Sequence, residues 1–322
     1  AGCWTYSRAS ARAEAGPGEV VELEAGTFEG SFTLPAGVTL RGAGPDQTVL
    51  RFAGEGPVLV AGVGETGVSR VADLAVEGVA GGGILAEGAC AGGDGALELD
   101  QLAVSVQAGL GVGVWGACAL RAIDVTVTGN VDEQNKTGIV PAPDDTLFAV
   151  AGLALVRVGD ARLTRVELNG TAAYGAVLVE TPTSWNGGEV HHLVGTGIQA
   201  DGPVDILLQD LAVHHVWQGA TPYGYGIVAS REVNLTTDNV TLEDNEGLGL
   251  LINESSGDLS GLTVRSNNNR GVWVQFCNPP QAGEPSVRIH GTNTLFDANR
   301  GVALGVYAST SVEVADATIQ AT

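Results

Sequence analysis

Four of the five histidines fall in two adjacent pairs, His191-His192 and His214-His215, each in the frame Val-His-His and 23 residues apart. Imidazoles gathered in this way suit zinc or copper ligation, acid–base work near neutral pH, or a stacked polar ladder at a turn. A metal would need a third ligand, for which Glu189 and Asp210 are the close candidates. Trp185, Trp217, Tyr223 and Tyr225 lie nearby in sequence and weigh toward sugar contact instead, because the C–H faces of sugars stack on aromatic rings. Glycoside hydrolysis needs two carboxyl groups at a defined separation. Asp201 and Glu180 are the best such pair, and His192 and His215 complete the set of candidate catalytic groups. Asp132, Glu133, Asp144 and Asp145 offer calcium a set of oxygens, without the spacing of a recognisable calcium loop.

What would position these residues is a repeat. A glycine followed by an aliphatic residue recurs after short β-type runs: Gly83-Ile84, Gly111-Val112, Gly138-Ile139, Gly175-Ala176, Gly197-Ile198, Gly226-Ile227, Gly249-Leu250, Gly271-Val272 and Gly301-Val302. The shortest interval is 22 residues, and the excess elsewhere is variable, the pattern of a solenoid with loop insertions. The insertions fall near 129–137, 141–146, 181–188, 217–224 and 278–285, on both sides of the Gly-aliphatic strand, which predicts a trough with a sheet as its floor. With Ile198, Ile227, Leu250 and Val272 inward, strand alternation turns Glu87, Trp115, Asp201, Ser230, Asn253 and Gln275 outward in one column and Gln199 and Trp273 in a parallel row. Polar groups interspersed with tryptophan suit a sugar-binding floor, so Trp273, Asn253 and Gln275 join Trp185, Trp217, Tyr223 and Tyr225 as candidate substrate-binding residues.

The same stations place cysteines. Cys90 lies six residues after Ile84, and Cys118 six after Val112. Stacked strands lie about 4.8 Å apart, within the Cα separation of a disulfide, so a Cys90–Cys118 bridge and an oxidising compartment are expected. Cys277 has no obvious neighbour. Cys3 follows Ala-Gly as at the end of a bacterial lipoprotein signal, although an unprocessed Ala1-Gly2 argues against a lipid anchor there. Thirty-seven acidic against 15 basic residues give a net charge of −22. That field disfavours nucleic acid and anionic membrane surfaces, and it repels polyanionic glycans unless calcium or a local basic patch intervenes. No unbroken apolar run is long enough to span a membrane.

Residues 7–18 combine a Ser7 N-cap, several alanines and a Gly16-Pro17 stop, which predicts a short helix capping the first coil. From Val20 onward come three strand-like runs divided by turns, containing Gly-Thr-Phe and then Gly-Val-Thr-Leu-Arg-Gly at 37–42. Later segments repeat the theme: Val240-Thr-Leu-Glu-Asp-Asn-Glu-Gly-Leu-Gly-Leu, Leu262-Thr-Val-Arg-Ser-Asn-Asn-Asn-Arg-Gly-Val and Phe296-Asp-Ala-Asn-Arg-Gly-Val. Over residues 20–322 these resemble the right-handed parallel β-helix family, which includes pectate-lyase-like enzymes and carbohydrate-binding and sugar-hydrolase repeats. The resemblance implies three short strands per coil and asparagine ladders at turns, for which Asn245, Asn267, Asn268, Asn269 and Asn299 are suited. The family's polygalacturonase-like set is incomplete here, the Asp-Pro-His of alginate epimerases is absent, and the only lysine is Lys136. Arg270 and Arg300, in matching Asn-Arg-Gly frames, are expected to stack.

The expectation is therefore an all-β chain: a cap segment over 1–19, then a right-handed parallel β-helix of about 11 coils over 20–322. Its last residues begin another coil and stop, so continuation of the chain or a partner would cover that edge. The expected function is polysaccharide binding by an exported protein (secreted, periplasmic or on the bacterial cell surface). The alternatives are a polysaccharide-active hydrolase or lyase in the same trough, or a structural or adhesive solenoid. No cofactor is expected beyond the calcium considered above.

Overall fold

The computed structural model describes residues 3–6, 15–88, 90–107, 109–131, 150–219, 223–278, 285–309 and 311–320. These residues form an all-β, right-handed parallel β-solenoid of about eleven turns. Among the described residues there is no helix. Residues 15–18, the end of the expected capping helix, form a turn, while 7–14 lie outside the described residues. Cys3–Tyr6 is a strand lying parallel to Val20–Leu23. No described helix is long and apolar enough to cross a membrane.

The chain divides into two compact units, residues 1–130 with 139–168, and 131–138 with 169–322. In the first unit Leu59, Ile84, Val112 and Leu153 stack in register, one per winding. A second stack aligns Leu74, Leu102 and Val125. All are buried, so the core is a set of vertical aliphatic columns. The winding after Val112 thus resumes at Gly152-Leu153; Gly138-Ile139, a repeat station in the sequence, lies outside the described residues. Cys90 and Cys118 are joined by a disulfide with their Cα atoms 4.8 Å apart.

In the second unit Ala176, Ile198, Ile227, Leu250, Val272 and Leu304 form the corresponding inward column. Gly301-Val302 is therefore two residues short of its supposed station: Val302 pairs with Arg270, which also means that Arg270 and Arg300 do not stack. The glycines ahead of this column are required by close approach. A Cβ on Gly175, Gly197 or Gly226 would stand 2.4–2.5 Å from the carbonyl oxygen of the next glycine in the column. Residues 181–188, expected as an inserted loop, are instead a corner followed by the start of the long strand Thr183–Asp201.

At one corner Asn245, Asn267 and Asn299, fully or partly buried, form a ladder. Asn267 Oδ1 accepts from the backbone N–H of Asn245 (3.2 Å) and from its Nδ2 (2.9 Å), and Asn299 Oδ1 does the same for Asn267 (3.1 and 3.0 Å). Each Nδ2 also donates to a strand carbonyl of an earlier winding. Asn268 and Asn269, expected in the ladder, are exposed and contribute only backbone bonds.

Candidate functional site

In the second unit, the strands Tyr225–Ser230, Leu248–Asn253 and Arg270–Gln275 and the end of Thr183–Asp201 lie side by side in register around the buried column just described. Their outward residues align as Asp201, Ser230, Asn253 and Gln275 in one column, and as Gln199, Val228, Leu251 and Trp273 in the next. The polar groups bond to one another. Gln275 donates from Nε2 to Asn253 Oδ1 (2.9 Å) and accepts from Trp273 Nε1 (2.9 Å), and the Ser230 hydroxyl donates to Asp201 (3.1 Å). One face of Trp273 carries the Arg270 guanidinium, 4.0 Å from the ring centre. Glu87 and Trp115, assigned to the same column from the sequence, belong to the first unit.

Beyond Asp201 the chain turns a corner, and the residue that turns it adopts the left-handed conformation in successive windings: Glu180, Gly202, Arg231, Glu254 and Phe276. Each donates its backbone N–H to the last strand residue of the following winding, which fixes the corner in register. The corner opens into a groove of about 720 Å³, lined among others by Glu180, Asp201, Arg231, Glu232, Glu254 and Phe276. Asp201 is buried and held by a two-pronged ion pair with Arg231. Phe276 is 46% exposed, its ring 5.5 Å from that of Tyr307 and nearly perpendicular to it. Next to it, burial pushes the Cys277 thiol above its usual value. Val179, and not Glu180, pairs with Asp201. Glu180 therefore leaves the sheet floor predicted for it and projects from the corner, although it still lines the same groove.

The histidines occupy the corner at the other end of these strands. His191 stacks on His214 (centroids 5.1 Å apart, 17° between planes) and His192 on His215 (4.9 Å, 19°). Within each pair the Nδ1 atoms meet, at 2.6 Å for His191–His192 and 2.8 Å for His214–His215. His192 and His215 turn the corner with positive φ. Glu189 Oε2 lies 3.9 Å from His191 Nε2 and 3.7 Å from His214 Nε2. Burial is the main cause that lowers the pKa of His214, reinforced by the neighbouring histidines and opposed by Glu189. Asp210, the other ligand considered, accepts from Asn239 Nδ2 (2.6 Å) instead. Among the described residues no group of three His, Cys, Asp or Glu is placed to hold a metal ion. The acids at 132, 133, 144 and 145 considered for calcium lie outside the described residues.

Eight residues, 193–200, separate this corner from Asp201, and the extended run 196–201 alone covers roughly 16 Å at about 3.3 Å per step. The structure therefore does not bring His192 and His215 together with Asp201 and Glu180, and the four cannot act on one bond. Two aromatic assignments also change. Trp185 is fully buried, its Nε1 donating to the Gly187 carbonyl (3.1 Å), so it is core and unable to touch a ligand. Its strand alternation turns it inward, which the surrounding polar residues disguised. Trp217 is 7% exposed and packs its ring against His192. Tyr223 is 48% exposed and lies edge-on to the half-buried Tyr225, whose hydroxyl is raised in pKa by burial and by Tyr223. Phe276 and Arg231 were missed. Their signal was the residue directly after each outward column member, where the chain must bend.

No protein-family model matches the sequence, and no curated protein matches it. Solved structures do. The chain is similar to the A-module of a mannuronan C-5 epimerase of Azotobacter vinelandii (TM-score 0.56, 13% identity, 95% of this chain and 92% of that one). It is similar as well to the Dettilon tailspike protein (0.56, 11%, 90% and 62%) and to a pectate lyase (0.50, 15%, 95% and 72%). Identities this low speak for the fold alone. That fold is the right-handed parallel β-helix of the pectate-lyase-like proteins.

Proposed function

We propose that the second unit binds polysaccharide along the outward face of the Asp201–Gln275 strands, with the corner groove as the principal ring-binding position. The observation that carries this reading is the groove of about 720 Å³, open beside a hydrogen-bonded polar column and bearing the half-exposed ring of Phe276, against which Tyr307 packs. Polar edges and an aromatic face in one concavity match the two surfaces of a pyranose ring. The names of two similar structures, a mannuronan epimerase and a pectate lyase, support a polysaccharide ligand. The Cys90–Cys118 disulfide supports export to an oxidising compartment, either secretion or the cell surface.

Full burial of a phenylalanine side chain stabilises by about 1.5–3 kcal/mol, so a sugar that covers the exposed half of Phe276 gains about 1 kcal/mol. Phe276→Ala is therefore expected to weaken binding to the best ligand of a glycan array about fivefold. An array on which nothing binds, or a hit indifferent to Phe276→Ala, removes the reading.

A catalytic use of the groove is favoured by one observation: Asp201 and Glu180 line it together. Paired with Arg231, Asp201 is suited to act as an ionised base or nucleophile and ill suited to donate a proton. Reducing-end and unsaturated-product assays on a polysaccharide panel, repeated with Asp201→Asn, separate an enzyme from a binding module.

A further inference from the structure

We infer that the groove selects glycans bearing free amino groups; the inference rests on the polysaccharide reading above and names its ligand class. Asp201 and Arg231 neutralise each other. Glu232 and Glu254 are both exposed on the groove wall, and among the described residues no ion pair compensates either. They sit on successive windings, joined by the Glu232 N–H donating to the Glu254 carbonyl (2.7 Å). Successive windings are spaced by about 4.8 Å, close to the advance of one sugar unit in an extended pyranose chain. A chain lying across the windings thus presents neighbouring sugars to neighbouring carboxylates. The face of Phe276 follows one winding further on, at the equivalent corner position.

The sign of the field reinforces this order. A net charge of −22 repels a polyuronate over distances comparable with the Debye length, whereas an ammonium-bearing polymer is drawn in. Among the described residues that line the groove the one arginine is already engaged by Asp201, so it offers a uronate no free charge.

The test is calorimetric titration of the full chain at low salt and about pH 5.5, where carboxylates are ionised. The probes are a glucosamine hexasaccharide, its fully N-acetylated counterpart and an oligogalacturonate of equal length. The free-amine sugar is expected to bind about tenfold more tightly than the acetylated one, and the Glu232→Gln, Glu254→Gln double variant to lose that preference. Both positions are exposed, and a thermal melt confirms that the variant is folded. Equal binding of the two glucosamine probes, tighter binding of the galacturonate, or a preference that survives in the variant each overturn the inference while leaving glycan binding in place. Failure of all three probes overturns the inference, and failure of every glycan on the array as well overturns both readings.

Discussion

Replacing Asn267 by alanine tests the vertical stacking on which every column in the second unit depends. The side chain is fully buried and makes four hydrogen bonds: two donated, to the Leu242 carbonyl (3.1 Å) and Asn299 Oδ1 (3.0 Å), and two accepted, from the Asn245 N–H and Nδ2. After truncation Asn245 Nδ2 retains the Val213 carbonyl, and Asn299 Oδ1 retains the Asn267 N–H. The backbone N–H of Asn245 has no such substitute. An orphaned buried donor costs about 1–3 kcal/mol, and the other lost bonds about 1 kcal/mol each at most, which puts the total at roughly 3–5 kcal/mol. That is a large share of the about 5–15 kcal/mol by which a domain is stable. The assay is urea unfolding of the whole chain followed by tryptophan fluorescence, dominated in this unit by the buried Trp185 and Trp217. Asn268→Ala, one residue along and exposed, is the control and is expected to stay within about 0.5 kcal/mol. Equal losses for the two variants, or a loss below about 1 kcal/mol for Asn267→Ala, would refute the ladder.

Two further outcomes are expected. The pKa of His214 is lowered chiefly by burial and by its histidine neighbours His191, His215 and His192, with Glu189 opposing, so the fold prefers the neutral ring. Its contribution to stability is then full above about pH 6.5, the ordinary histidine value, and is lost as pH falls through the lowered one. Melting temperatures measured downward from about pH 7.5 should fall less steeply in His214→Gln than in the wild type, and parallel curves would contradict the assignment. In the first unit the Cys90–Cys118 bridge closes a span of 28 residues, which corresponds to about 3–4 kcal/mol of chain entropy. Reduction, or Cys90→Ser with Cys118→Ser, should therefore raise hydrogen exchange in the first unit selectively; an equal rise in both units would count against it.

What the sequence determined by itself follows from a property of solenoids: residues one winding apart in the chain are neighbours in space. Counting from the Gly-aliphatic stations therefore suffices for the inward aliphatic column, the order Asp201, Ser230, Asn253, Gln275, the Cys90–Cys118 contact and the ladder of Asn245, Asn267 and Asn299. Counting fails where winding length changes. Gly301-Val302 imitates a station that Ala303-Leu304 occupies, and the long insertion before Gly152-Leu153 hides another. Direction is the second thing that counting leaves open. A single left-handed residue at a corner bends the strand and resets which neighbours point inward, so Trp185 enters the core and Glu180 leaves the floor. The engagement of Asp201 by Arg231, the opening of the groove beside Phe276 and the separation of the histidine corner from both depend on those bends. Backbone dihedrals at a handful of positions set them, and only the tertiary structure decided them.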